Sequence, residues 1–105
     1  IIKTAKKNRK VLIVDNGLTS FGISSEVVST IIDNCDHKSI NIKRIGLLDT
    51  PIPSTRSLAK FIYPSYISII IEIFKMLNKK VPKNIINSKD FYASDQPDKN
   101  FKGPF

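Results

Sequence analysis

The stretch Lys10-Val-Leu-Ile-Val-Asp15 places four consecutive apolar β-formers between two charged residues, with no polar alternation. Such a run reads as a strand buried on both faces, the kind found in parallel sheets. The turn chemistry of Asp15-Asn16-Gly17 is expected to end it, with a loop over residues 18–22. Ser24 or Ser25 is placed to cap a helix, with Glu26 in the first turn where the helix dipole favours an anion. Val27, Val28, Ile31, Ile32 and Cys35 form one apolar stripe, so this helix runs over residues 24–35. Asp36-His37-Lys38-Ser39 is a polar break, and Ile42-Lys-Arg-Ile-Gly-Leu-Leu48 is a second strand. Strand, helix and strand over about 38 residues make a βαβ unit. Its strands, near 11–15 and 42–47, should be adjacent and parallel, with a right-handed crossover.

Outward from that unit the texture changes. Residues 1–10 read as the tail of a helix or a connector. Residues 49–64, DTPIPSTRSLAKFIYP, hold three prolines and open as an extended surface segment. Residues 57–61 have room for one helical turn. Ser65 is a good N-cap for a helix over Tyr66–Leu77, which shows Ile67, Ile70, Ile71, Phe74 and Leu77 on one face and Ile69 and Ile73 beside it. Its repeated isoleucines are mediocre helix formers, so packing has to hold it. Residues 1–79 form the folded part. Residues 80–105 read as an extended tail that Phe91, Tyr92, Phe101 and Phe105 can anchor to a surface.

Composition narrows the function classes. The 105 residues carry 17 Lys+Arg against 9 Asp+Glu, a net charge of +8. Lysine supplies 14 of the 17, and Lys, Ile and Asn together are what an AT-rich genome encodes, so the basic excess is weak evidence for a nucleic-acid partner. The densest cluster, Lys3, Lys6, Lys7, Arg9 and Lys10, reads as a solvated face. No apolar run approaches the roughly 18 residues of a membrane span. One cysteine and one histidine exclude an internal disulfide and any Cys/His metal cluster. Low cysteine usage points to a reducing compartment, cytoplasmic or matrix-like. The chain starts at Ile1 with no visible signal peptide, which predicts a start inside a longer reading frame.

No self-contained active site emerges. Gly17-Leu-Thr-Ser-Phe-Gly22 has the glycine spacing of a phosphate loop but lacks the Lys-Ser/Thr that reaches the phosphates. It reads as a strand-to-helix turn whose amides are able to receive an anion or a carboxylate. His37 sits in a polar turn, and Cys35 lies on an apolar stripe as a small core residue. Asp15 and Asp49 both follow predicted parallel strands, at the sheet edge where α/β folds bind ligands. Both are also ordinary turn residues. Two strands make a thin sheet whose edges need partners.

From Arg9 to about Leu77 the order of residues resembles the C-terminal domain of the transketolase family. The nearest branch is the beta subunit of thiamine-diphosphate-dependent 2-oxoacid dehydrogenases of the pyruvate, branched-chain and acetoin types. KTAKKNRKVLIVDNG resembles the family's K-T-x-R-x-V-V-V-E-E approach and strand. FGISSEV resembles its G-x-G-A-E-I helix start, with Gly22 and Glu26 on matching positions. RIGLLDTPIPSTRSLAKFIYPS resembles the D-x-P-x-P segment and its distant P-S, with Asp49, Pro51, Pro53, Leu58 and Pro64 in place. The helix YISIIIEIFKML closes the match. Asp15-Asn16 and Ser20 depart from the pattern.

The resemblance implies an α/β fold: a three-layer α/β/α domain with a mainly parallel sheet, of which this chain holds only the second half. It implies an assembly role. The tentative subunit-interface residues are Gly22, Glu26, Asp49, Pro51 and Pro53, and no catalytic, cofactor-binding or metal-binding residue falls in the chain. Thiamine diphosphate and Mg²⁺ would serve the parent enzyme elsewhere. Partners would be an alpha subunit, a second beta subunit and the subunit-binding domain of a lipoyl acyltransferase. The parent reaction would be oxidative decarboxylation of a 2-oxo acid with acyl transfer to lipoamide, and the chain alone is expected to be inactive. A transketolase or deoxyxylulose-phosphate synthase relative is the alternative, with a basic nucleic-acid-binding module behind it.

Overall fold

A computed structural model describes residues 1–86, the side chains of His37 and Arg56 excepted. Phe91, Tyr92, Phe101 and Phe105 lie outside the described residues. The chain opens with helix α1 (Ile2–Asn8), which buries Ala5 and carries Lys6 and Lys7 in its last turn, where cations suit the dipole. Arg9 closes it in the left-handed region at φ 55°. Strand β1 (Lys10–Leu18), helix α2 (Ile23–Asn34), a 3₁₀ turn at His37–Ser39 and strand β2 (Asn41–Leu47) follow. A single turn of helix, α3 (Arg56–Ala59), leads to α4 (Tyr66–Met76), and α5 (Lys83–Ile86) is one more turn within the segment expected to be extended.

β1 and β2 pair in parallel, with Val11 opposite Ile42 and Val14 opposite Ile45. Successive side chains of a strand point to opposite faces. On one face Ile42 and Arg44 line a cleft opposite Val28 and Ile32 of α2. On the other, Lys10 and Leu12 line a smaller one opposite Ile73 and Met76 of α4 and its C-cap Leu77. The result is the expected α/β/α layering on a two-stranded sheet.

Three expectations change. β1 does not stop at Asp15 but runs to Leu18. Between the pairs Val14–Ile45 and Leu18–Leu47, Asp15, Asn16 and Gly17 stand opposite Gly46 alone. The turn chemistry therefore makes a bulge inside the strand rather than its end. Nor is β1 buried on both faces: its residues are half-buried or exposed, because one neighbouring strand and two short helices cannot cover a nine-residue strand. Cys35 is half-buried at the end of α2 rather than in the core. The fully enclosed side chains are few, led by Ile31 of α2 and Ile67 of α4.

α4 is the best-specified helix. The Ser65 hydroxyl accepts from the Ser68 amide at 3.0 Å, and the Ser65 amide donates to the Ser68 hydroxyl at 3.0 Å, a reciprocal cap. At the other end Asn78 takes φ 54°, and the Lys79 amide reaches back to the Phe74 carbonyl at 2.9 Å. Glu72, mostly shielded, lies 3.8 Å from Lys43 of β2 and 3.6 Å from Lys75, tying the helix to the sheet. Along the stripe, Ile73 and Leu77 remain exposed despite the expected burial.

Removal of the cap is the measurable consequence. Ser65→Ala should destabilise the chain by about 1 kcal/mol, read as a lower midpoint in urea with an unchanged slope. An unshifted midpoint would show that α4 is held by packing alone.

Candidate functional site

The distinctive geometry gathers at the carboxyl end of the two strands. Beyond the bulge, the Thr19 amide and hydroxyl both donate to the Leu47 carbonyl, at 3.0 and 3.1 Å, so the chain stays attached to β2 for one more residue. The loop Thr19–Gly22 then crosses to α2. Its next residue, Ser20, is held by Asp49: the amide donates to Oδ1 at 2.9 Å and the hydroxyl to Oδ2. These two bonds, the hydroxyl one foremost, hold the Asp49 carboxyl below its ordinary value of 3.8. Arg44 fixes the same loop from beneath. Its Nη1 donates to the Thr19 carbonyl at 2.7 Å and to the Ser25 hydroxyl at 2.6 Å.

Gly22 is the N-cap of α2, a position expected for Ser24 or Ser25. A Cβ on Gly22 would sit 2.3 Å from the Leu18 carbonyl oxygen, so only glycine fits the return from strand to helix. Asp15 lies under this turn. Its Oδ1 accepts from the Gly17 amide at 3.0 Å. Its Oδ2 is enclosed without a partner among the described residues, 3.4 Å from where the Gly22 Cβ would stand. A phosphate entering the Gly17–Gly22 loop would meet that carboxylate, so the loop is a turn and not a phosphate cradle.

Phe21 is the unexpected residue. Its backbone is left-handed at φ 61°, a conformation that costs a non-glycine residue about 1–2 kcal/mol. Its side chain gains no burial in return, being 102% exposed. Its chain neighbours Leu18 and Ile23 are also exposed, as is Leu48 just past the end of β2, giving this end of the sheet an apolar rim.

Of the residues expected to matter, Gly22 and Asp49 flank one loop. Glu26 is exposed in the first turn of α2, and its carboxylate makes no hydrogen bond or ion pair among the described residues. Pro51 is exposed and Pro53 half-buried on the segment after Asp49. Arg44, Gly46 and Phe21 were not singled out from the sequence, and Ser20 only as a departure from the family pattern. The one signal for Arg44 is its place at an α2-facing position of an otherwise apolar strand face.

These residues do not fit a thiamine diphosphate–magnesium centre. Among the described residues no group of three His, Cys, Asp or Glu side chains is placed to hold a metal ion. Asp49 is engaged by Ser20, and Asp15 is enclosed under the turn. No described helix is long and apolar enough to cross a membrane.

Residues 1–69 match the family model described as transketolase, C-terminal domain. The chain belongs to the transketolase C-terminal domain family. Within the curated proteins it is 29% identical, over 80 residues, to the mitochondrial pyruvate dehydrogenase E1 component subunit beta of Saccharomyces cerevisiae. That alignment covers 74% of this chain and 22% of the relative, so the chain spans well under a third of that protein's length. No solved structure matches it.

Two outcomes follow from the loop. Gly22→Ala should cost about 1–3 kcal/mol, because backbone must move to admit the methyl, whereas Phe21→Gly should be neutral or stabilising by up to about 1 kcal/mol. Urea unfolding of the two variants separates them, and equal losses would contradict the geometry. The Ser20–Asp49 link should also depend on acid. A carboxyl held below 3.8 in the folded chain contributes stability above the unfolded value that is lost as pH falls through the folded one. The protection factor of the Ser20 amide, its exchange rate relative to the intrinsic rate at each pH, should therefore hold above pH 3.8 and fall only below it, and Asp49→Asn should remove that dependence.

Proposed function

We propose that the chain is an assembly module of the beta subunit of a thiamine-diphosphate-dependent 2-oxoacid dehydrogenase, with the apolar rim around Phe21 as its subunit contact. The observation that carries this reading is Phe21 itself: a fully exposed aromatic side chain on a strained backbone, braced by Ser20–Asp49 and Arg44–Thr19. A large apolar side chain held in solvent at an energetic cost suits a partner's pocket. The pyruvate dehydrogenase beta subunit among its relatives supplies the type of assembly. Gly22 and Asp49 would shape the contact, with Glu26, Pro51 and Pro53 at its margin. An alpha subunit, a second beta subunit and the lipoyl acyltransferase's subunit-binding domain are the partners this implies, in a reducing cytoplasmic or matrix-like compartment.

In this reading thiamine diphosphate and Mg²⁺ bind elsewhere in the parent enzyme, and this chain positions subunits instead of reacting groups. The basic cluster of α1 lies at the opposite, amino end of β1, away from the rim, which favours assembly over nucleic-acid binding as the use of this surface.

Sedimentation at about micromolar concentration tests the contact. The chain should self-associate or travel with a partner subunit, and Phe21→Asp should return it to monomer without lowering its urea midpoint. An unchanged assembly state in Phe21→Asp would sink the reading. Calorimetric titration with thiamine diphosphate and Mg²⁺ should give no heat of binding, and a micromolar affinity would overturn the division of labour.

A further inference from the structure

The second unfinished surface lies on the outer edge of β2. The Asn41 amide donates to the Arg9 carbonyl, and the Leu47 carbonyl accepts from Thr19, so the odd-numbered residues of β2 turn their backbone groups toward β1. By the two-residue period of a strand, Ile42 and Arg44 turn theirs outward. Among the described residues the sheet has two strands, and no other element hydrogen-bonds those groups. Alongside runs an open cleft of about 520 Å³ between β2 and α2, with Val28, Ile32, Ile40 and Ile42 as its apolar wall. Arg44 stands in the same cleft. Both of its described bonds use Nη1, which leaves the Nε and Nη2 donors for a carboxylate.

We propose that this cleft docks an extended segment of a partner protein that carries an apolar and an acidic side chain two residues apart. The segment adds as a third strand on β2. Its backbone meets the outward groups of Ile42 and Arg44, its apolar side chain covers Ile32 and Ile42, and its carboxylate takes the free edge of the Arg44 guanidinium. Strand addition of this kind draws affinity from main-chain bonds and selectivity from alternate side chains. Lys43 and Arg44, both exposed and both lining the cleft, favour an acidic segment there. This surface is separate from the Phe21 rim and does not depend on the assembly reading.

The probe is the capped pentapeptide Thr-Val-Thr-Glu-Thr, which sets Val and Glu on one face. Titrated into the full chain, it should shift the Ile42 and Arg44 amide resonances and slow their hydrogen exchange, with an affinity of about millimolar. Replacing its Glu by Gln should weaken binding about tenfold, and replacing it by Lys should abolish it. Ile32→Asp in the chain should abolish binding with the fold intact by circular dichroism. If that variant does not fold, the peptide series on the unaltered chain decides. Equal binding of the Glu and Lys peptides, shifts confined to β1 or α1, or no shift at several millimolar would overturn the proposal. So would concentration-dependent protection of Ile42 and Arg44 without peptide, which would mean a second copy of the chain fills the edge.

Discussion

The close approach of two backbones at Gly46 sets the geometry of everything at the carboxyl end of the sheet. A Cβ there would lie 2.9 Å from the Gly17 carbonyl oxygen, nearer than side-chain carbons come to backbone oxygens. With no side chain at that point, three residues of β1 pass opposite one of β2, and the strand pair resumes at Leu18 and Leu47. The resumption carries Thr19 onto the Leu47 carbonyl. It also leaves only Thr19 to Gly22 to reach α2, so the return is tight. Gly22 pressed against the Leu18 carbonyl and the left-handed Phe21 are consequences of that short return.

A tight return from strand to helix leaves little freedom for the loop, and the remaining freedom is removed by polar contacts from β2 and the segment that follows it. Arg44 reaches up from β2, and Asp49 reaches back from the segment after it. Each contact is exposed and individually weak. Together they act on adjacent residues, Thr19 and Ser20, and so fix the direction in which Phe21 leaves the surface. The cost of the strained φ is then borne by a loop that has few other conformations to adopt.

Much of the fold was legible because it rests on signals that span several residues. The run Val11–Val14, the stripe through Val27, Val28, Ile31 and Ile32, and Ser65 before the isoleucine-rich helix each repeat one message several times. The parallel pairing, the α2 crossover and the Ser65 cap were all readable on that basis. What was not legible depends on single residues meeting across the chain. Asp15-Asn16-Gly17 is good turn chemistry whether it ends a strand or bulges one, and only Gly46, some thirty residues on, decides between them. Gly22 as N-cap, Arg44 under the loop and Asp49 on Ser20 are likewise contacts that local pattern cannot announce. The burial of β1 was overestimated for a different reason. A continuous apolar run reports the environment for which a strand is suited, and two neighbouring helices with one strand do not supply all of it.

That mismatch links the two unfinished surfaces. A strand as apolar as β1 and a helix as apolar as α4 are suited to a larger layered domain than the described residues build, and Val14, Ile73 and Leu77 stay partly in water as a result. The exposed groups are nonetheless not scattered evenly. Lysines crowd α1 at the amino end of the sheet, the apolar rim occupies the carboxyl end, and the open β2 edge combines backbone donors and acceptors with one cation. Each surface is therefore suited to a different interaction: long-range charge at one end, apolar burial at the other, and directional hydrogen bonds along the side. The proposed assembly role would gain from that separation, because partners chosen by different physics do not compete for one patch.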